Sequence, residues 1–424
     1  MSESVSVTPP PAPRRRPPAT PDHRTPDHRT PGLQPRRAGR VELALLLAGS
    51  CMSVLGAVLI APVLPQMTDD FAGTPGVDVL VPIVLTVPAL MIGLIAPFAG
   101  VVVDRVDRKR LLVVAMVAYS VFGTAPLYLS SLGTIIGSRV LVGVCEAAIM
   151  TCCTTLIADY WSGARRSRYL AVQTLVSALS ATVFLGVGGV LGASGWRTPF
   201  WLYAVAALLA VPMAKLLWQP MQDRASGARL EPVPWRLLLA PCVVTLVGGV
   251  IFYALIVQLS FVLNDNGVTS TATIGGISAI MSIATAAGSV AFAKLAGQTP
   301  RTLLPVAFGC SAVGLWIVSG ASSATLITVG AVLTGFGTGL TLPTLLTWAV
   351  NRLRFAQRGR GTGRWTGTLF IGQFLSPLII AAVGAGIGGL QPALGVLAGV
   401  SALMAVVILF VVPRNADPLN VTRY

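Results

Sequence analysis

Twelve apolar segments follow one another from Leu43 to Val412 and leave few folds open to the chain. They cover about 43 to 65, 79 to 100, 110 to 129, 133 to 157, 169 to 192, 198 to 218, 237 to 263, 272 to 297, 303 to 321, 325 to 351, 364 to 387 and 390 to 412. A helix rises about 1.5 Å per residue, so roughly 20 residues cross about 30 Å of hydrocarbon. With 54% of its 424 residues hydrophobic and 11% charged, the chain carries too much apolar surface for one aqueous core, which argues against a soluble enzyme. The expected fold is an all-α membrane protein. Prolines within the segments (Pro62, Pro88, Pro97, Pro126, Pro212, Pro343, Pro377) are compatible with that fold, because neighbouring helices can satisfy the backbone groups they free.

A net charge of +15 would suit a nucleic-acid binder, but its distribution favours membrane orientation. With the amino terminus inside, every Lys and Arg except Arg139 and Arg197 falls in the tail or in a connection on the same side. Such asymmetry predicts twelve spans with both termini cytoplasmic in a bacterial membrane. The six cysteines all lie in apolar stretches without CxxC spacing and read as small buried hydrophobes, not disulfides or metal ligands.

Residues 1–40, with ten prolines, eight arginines and the repeat Thr20-Pro-Asp-His-Arg then Thr25-Pro-Asp-His-Arg, form an expected disordered tail and no signal peptide. The polar stretch 219–236 is expected to link a six-helix half over 41–218 to a second over 237–412, before a cytoplasmic tail at 413–424. The halves echo each other: Arg165-Arg166-Ser-Arg168 followed by Gly186-Val-Gly188-Gly189, against Arg358-Gly-Arg360 followed by Gly384-Ala-Gly386-Ile-Gly388-Gly389. Two pseudo-symmetric six-helix bundles are the expectation, with chance similarity of membrane-helix punctuation as the alternative.

Charge within a membrane is costly, so a buried ionisable residue is a functional candidate by default. Arg139 and Glu146, both in the fourth segment, are the clear cases. They lie roughly 9 and 20 Å along it, on one face because seven residues make almost two turns. Burial disfavours an ionised carboxylate and the arginine favours it, an opposition suited to gaining and losing a proton. The alternative is that the pair only joins the fourth helix to its neighbours. In the short connection Gly100-Val-Val-Val-Asp104-Arg105-Val-Asp107-Arg108-Lys109-Arg110, the acids can pair locally, and Asp159 is within reach of Arg105 or Arg108.

Gly100-xxx-Asp104-Arg105-xx-Arg108-Lys109 resembles the cytoplasmic loop signature of the major facilitator superfamily, with Asp107 where the family pattern has glycine. Arg139-xxx-Gly143, Gly195-Trp196-Arg197-Thr-Pro-Phe200-Trp201 and Gly372-Gln373-Phe374-x-x-Pro377 are similar to further family segments, and the resemblance covers 41–412. It implies a secondary transporter whose halves rock about a central cavity. It also implies a cytoplasmic gate built from Gly100, Asp104, Arg105, Arg108, Asp159 and Arg165, with Asp104 braced against the eleventh helix and the loop arginines against Asp159. The string Arg139-x-Leu-Val-Gly143-x-x-Glu146-Ala147 looks like the fourth helix of spinster-type lipid transporters, where buried charges serve coupling or substrate binding. Phe184-Leu185 stand where the superfamily's drug/proton antiporters carry Gly-Pro, a departure from that subgroup.

Tyr119, Gln173, Tyr253, Gln258, Thr344 and Gln373 are the polar helical residues expected to line the cavity, with helix glue as the alternative role. Few charges and many apolar walls suit an amphipathic substrate better than a sugar or nucleotide. No Walker loop, Ser/His/Asp set or metal cluster is present, so neither an enzyme nor a cofactor is expected. The sequence reading is a monomeric, proton-coupled exporter of small amphipathic compounds, without nucleic acid as a partner. The alternatives are uptake by symport or facilitated diffusion, and a transporter-shaped receptor or scaffold.

Overall fold

The computed structural model describes residues 38–220, 233, 235–414 and 418–420; the side chains of 100–105 and 355–356 lie outside the described set. The expected tail and most of the 219–236 connection therefore lie outside it. Among the described residues there are twelve helices long and apolar enough to cross a bilayer, and no strand. They are α1 (Arg40–Asp70), α2 (Val77–Arg105), α3 (Arg108–Leu127), α4 (Leu132–Tyr160), α5 (Gly163–Gly192) and α6 (Thr198–Leu216), then α7 (Trp235–Asp265), α8 (Thr271–Leu295), α9 (Pro300–Gly320), α10 (Ala324–Val350), α11 (Phe355–Ile387) and α12 (Leu390–Val411).

Local chemistry sets several helix starts. Ser131, Ser270 and Ser323 accept from the backbone N–H groups of Thr134, Thr273 and Leu326 respectively at the heads of α4, α8 and α10. Asp107 caps α3 by accepting from the Arg110 N–H at 2.9 Å. The residue that departs from the superfamily's glycine thus satisfies a backbone donor that glycine could not. Gly388, with φ +91°, closes α11 in the left-handed conformation that an L side chain resists.

Buried apolar residues form two clusters. One runs from Leu46 through Leu217 and takes in Tyr253 and Val257 of α7; the other runs from Val233 to Leu419. Across the 219–236 connection, α2 packs along α11, and α5 along α8. Glycines bring these pairs close at opposite ends. A Cβ added to Gly367 of α11 would lie 2.8 Å from the Gly93 carbonyl of α2, on the side of Arg108. One added to Gly189 of α5 would lie 2.4 Å from the Thr271 carbonyl and 2.8 Å from Gly275 Cα of α8, on the side of Arg197.

Leu419 and Asn420, beyond α12, are held by hydrogen bonds. The N–H groups of Leu419 and Asn420 donate to the carbonyls of Gln298 and Ala296, the Asn351 amide donates to the Leu419 carbonyl, and the Leu419 side chain is buried. Next to Asn351, Arg352 lies 4.8 Å from the Trp348 ring, and its burial lowers the guanidinium pKa from the ordinary value. Three bonds at about 1 kcal/mol net and one buried leucine at about 2 kcal/mol, less the entropy of ordering the segment, lead us to expect that deleting residues 418–424 lowers stability by about 3 kcal/mol. A melting temperature in detergent equal to that of the full chain would refute this.

Candidate functional site

Two breaks in helical regularity create the site. Regular turns of α1 end at Val58, a 3-10 turn spans Ala61–Val63, and a short helix over Leu64–Asp70 completes the span. The Leu59 N–H still donates to the Leu55 carbonyl. Beyond it Pro62 has no N–H to offer the Val58 carbonyl. In α2, Pro88 likewise leaves the Val84 carbonyl, four residues earlier, without a helical donor. Carbonyls freed within a membrane need side-chain partners.

Arg139 of α4 answers the Val84 carbonyl and, on α1, the Gly56 carbonyl two residues before Val58. Its Nε donates to the Val84 carbonyl at 3.1 Å, one terminal nitrogen to the Gly56 carbonyl of α1 at 2.8 Å, and the other to the Tyr203 hydroxyl at 2.6 Å. The guanidinium is fully buried and sits 5.3 Å from the Tyr203 ring centroid. Gly143, one turn along α4, completes the fit, since a Cβ there would lie 2.6 Å from Pro88 Cα. The Arg-xxx-Gly spacing thus serves one proline twice: arginine answers its freed carbonyl and glycine makes room for the backbone at Pro88.

Glu146 is equally buried, yet neither carboxylate oxygen has a hydrogen-bond partner among the described residues. Its Oε1 lies 1.6 Å from where a Cβ on Gly56 would be, so the carboxyl group occupies the space that glycine leaves on α1. The Tyr119 hydroxyl, 3.0 Å from the same point, donates to the Met52 carbonyl at 2.5 Å. Arg139 and Glu146 share a face of α4 but are separate in bonding: the guanidinium donates to Val84, Gly56 and Tyr203, and the carboxylate has no partner among the described residues.

On the other side of α1 is a cavity of about 650 Å³. Ser50, Ser53 and Ala57 of α1, Thr154 of α4, Gln173 of α5, Tyr253 of α7 and Gln373 of α11 line it among mostly apolar neighbours, and none of its lining residues is charged. The Gln173 amide donates to the hydroxyls of Ser50 and Thr154 at 2.7 and 3.1 Å. Tyr119, Gln258 and Thr344, also expected at the cavity, are buried but are not among its lining residues. Thr344 returns its hydroxyl to the Leu340 carbonyl of its own helix, the usual habit of threonine in a membrane helix. Glu146 does not line the cavity either; the Gly56–Ala57 turn stands between them.

Of the expected gate, Arg108 is buried and pairs with Asp159 at the end of α4, while its backbone N–H donates to Gln219 at 2.9 Å. Arg165 is exposed at the start of α5. The side chains of Gly100, Asp104 and Arg105 lie outside the described residues. What sequence reasoning missed is Gly56, which carries no signal beyond being one small residue in a long apolar helix.

Among the described residues, twelve helices long and apolar enough to cross a bilayer, packed around a cavity and with two ionisable side chains buried within α4, define a multi-pass membrane protein. Residues 46–265 and 237–423 match the Major Facilitator Superfamily, and the chain belongs to it. Quinolone resistance protein NorA of Staphylococcus aureus (strain MRSA252) is 26% identical over 200 residues, covering 46% of this chain and 51% of the relative. Tetracycline resistance protein, class C, of Escherichia coli is 26% identical over 198 residues, covering 46% and 48%. The chain thus aligns with about half the length of these curated relatives.

Among solved structures, a bacterial homolog of the human lysosomal transporter Spinster, inward-facing and unoccupied, has a TM-score of 0.68 at 16% identity, covering 90% of this chain and 96% of that one. The human organic anion transporter MFSD10 (TETRAN) has a TM-score of 0.65 at 16% identity, covering 87% and 99%. At such identity they show the fold alone.

Proposed function

We propose that this transporter exports small amphipathic compounds in exchange for protons, with Glu146 as the proton carrier and Arg139 as its fixed neighbour. The observation that carries the reading is a carboxyl group wholly removed from solvent without a hydrogen-bond partner among the described residues. Such a group gains or loses a proton without breaking a bond in the surrounding helices. Arg139, anchored on three acceptors, supplies a positive field in either state. The uncharged, largely apolar cavity suits a substrate that buries apolar surface and offers a few hydrogen-bonding groups. The resistance proteins among the relatives support export as the direction.

In this reading the halves 41–218 and 237–412 rock about the cavity, with the arginine-rich end facing the cytoplasm. Arg108 and Asp159 hold α3 against α4 there, so that the first half moves as one body. The test is substrate flux in proteoliposomes under an imposed pH gradient. One-for-one exchange supports about tenfold accumulation per pH unit, since a tenfold concentration ratio is about 1.4 kcal/mol. Glu146→Gln, nearly equal in size, is expected to keep the fold and lose the gradient dependence. Flux indifferent to the gradient in both proteins would end the coupling reading; substrate moving with the protons would reverse its direction.

A further inference from the structure

The last regular turn of α1 is addressed from both sides. Facing α4, Gly56 gives its carbonyl to Arg139 and its missing side chain's space to Glu146. Facing the cavity, the next carbonyl, that of Ala57, accepts from the Tyr253 hydroxyl. Tyr253 belongs to α7, in the other half of the chain, yet its side chain packs within the buried cluster of the first half and also lines the cavity. One hydroxyl therefore joins three things: the second half, the substrate space and the turn that covers the buried acid.

We propose that Tyr253 is a positioning residue whose hydroxyl latches the Gly56–Ala57 turn over Glu146, so that losing this donor opens the acid. The inference rests on the reading of Glu146 as the coupling acid. The turn is suited to such control. It lies where α1 loses its helical ladder, so its carbonyls depend on side-chain donors from other helices. The Arg139 donor comes from the same half and travels with α1; the Tyr253 donor comes from the opposite half and parts from it when the halves separate. A cavity occupant bearing an acceptor competes for the same donor. Nearby, Ser53, one turn before Gly56, lines the cavity with a hydroxyl that has no partner among the described residues.

Dicyclohexylcarbodiimide, an apolar reagent that adds to protonated carboxyl groups, tests the latch without a known substrate. The full-length protein in liposomes is treated with it and the adduct on Glu146 is followed by mass spectrometry, with Glu146→Gln as the blank. Tyr253→Phe keeps the ring and removes the donor, and is expected to speed labelling of Glu146 about tenfold, the factor one ordinary hydrogen bond controls. Cys153, fully buried two turns further along α4, is probed in parallel with a thiol reagent and is expected to remain protected.

Equal labelling of Glu146 in both proteins overturns the latch, and so does Tyr253→Phe exposing Cys153 as well, which marks a loosened fold. The absence of labelling in either protein overturns it too. These results leave the flux test of Glu146→Gln standing, so that failure of the latch and failure of the coupling reading are told apart.

Discussion

Replacing Arg139 with leucine is expected to leave little folded protein in the membrane. The substitution strips donors from three buried acceptors at once: the Val84 carbonyl, the Gly56 carbonyl and the Tyr203 hydroxyl. Bonds from a charged donor are worth roughly 1.5–3 kcal/mol each, and in membranes somewhat less, so the combined loss is roughly 4 kcal/mol against a total stability of about 5–15 kcal/mol. The Val84 carbonyl has no helical substitute, because Pro88 lacks the N–H, and the Gly56 carbonyl lies where the regular turns of α1 end.

Arg139→Lys separates geometry from charge. An ammonium group keeps the charge but lacks the planar fork needed to reach acceptors on α1, α2 and α6 together. That variant is expected to fold with a lower melting temperature and slower transport. Glu146→Gln, which removes no protein hydrogen bond among the described residues, is expected to stay within about 1 kcal/mol of the parent. Membrane abundance and detergent melting curves check the series; an Arg139→Leu protein melting with the parent would refute the anchoring role.

The contrast between Arg139 and Glu146 also shows what the sequence made legible. Two ionisable residues on one face of an apolar helix stand out without a structure, because charge in lipid is expensive. The twelve spans stand out for the same reason, and their number agrees with the helices observed. What the pattern withheld was partnership. Arg139 answers Val84, 55 positions away, and that pairing depends on how α2 and α4 are rotated against each other, which apolar periodicity leaves open. Gly56 was invisible because its role is an absence: it matters for the carboxyl group that fills its side-chain space. The polar residues were legible as a class and not by duty. Gln173 and Gln373 reach the cavity, whereas Thr344 spends its hydroxyl on its own helix and Tyr119 on the Met52 carbonyl.

The two glycine seams, α5–α8 and α2–α11, should respond to the same substitution with opposite signs. Gly189→Ala puts a methyl group 2.4 Å from the Thr271 carbonyl, a backbone atom that cannot swing aside, at the Arg197 end of the α5–α8 contact. Gly367→Ala puts one 2.8 Å from the Gly93 carbonyl, at the Arg108 end of the α2–α11 contact. Overpacking costs about 1–3 kcal/mol. Where a conformation exists in which that seam is open, the cost falls only on the closed state, shifting the population by roughly 5- to 150-fold.

A reporter cysteine at Ser177, which lines the cavity, in a background without the native cysteines, reads the result with a membrane-impermeant thiol reagent applied from either face. Gly189→Ala is expected to raise labelling from the Arg197 face and lower it from the other, and Gly367→Ala to do the reverse. The double variant should return part of the way, because both closed seams are then penalised. Labelling that rises from the same face in both single variants would mean that these contacts are not opposing gates, and the rocking reading would fall with them.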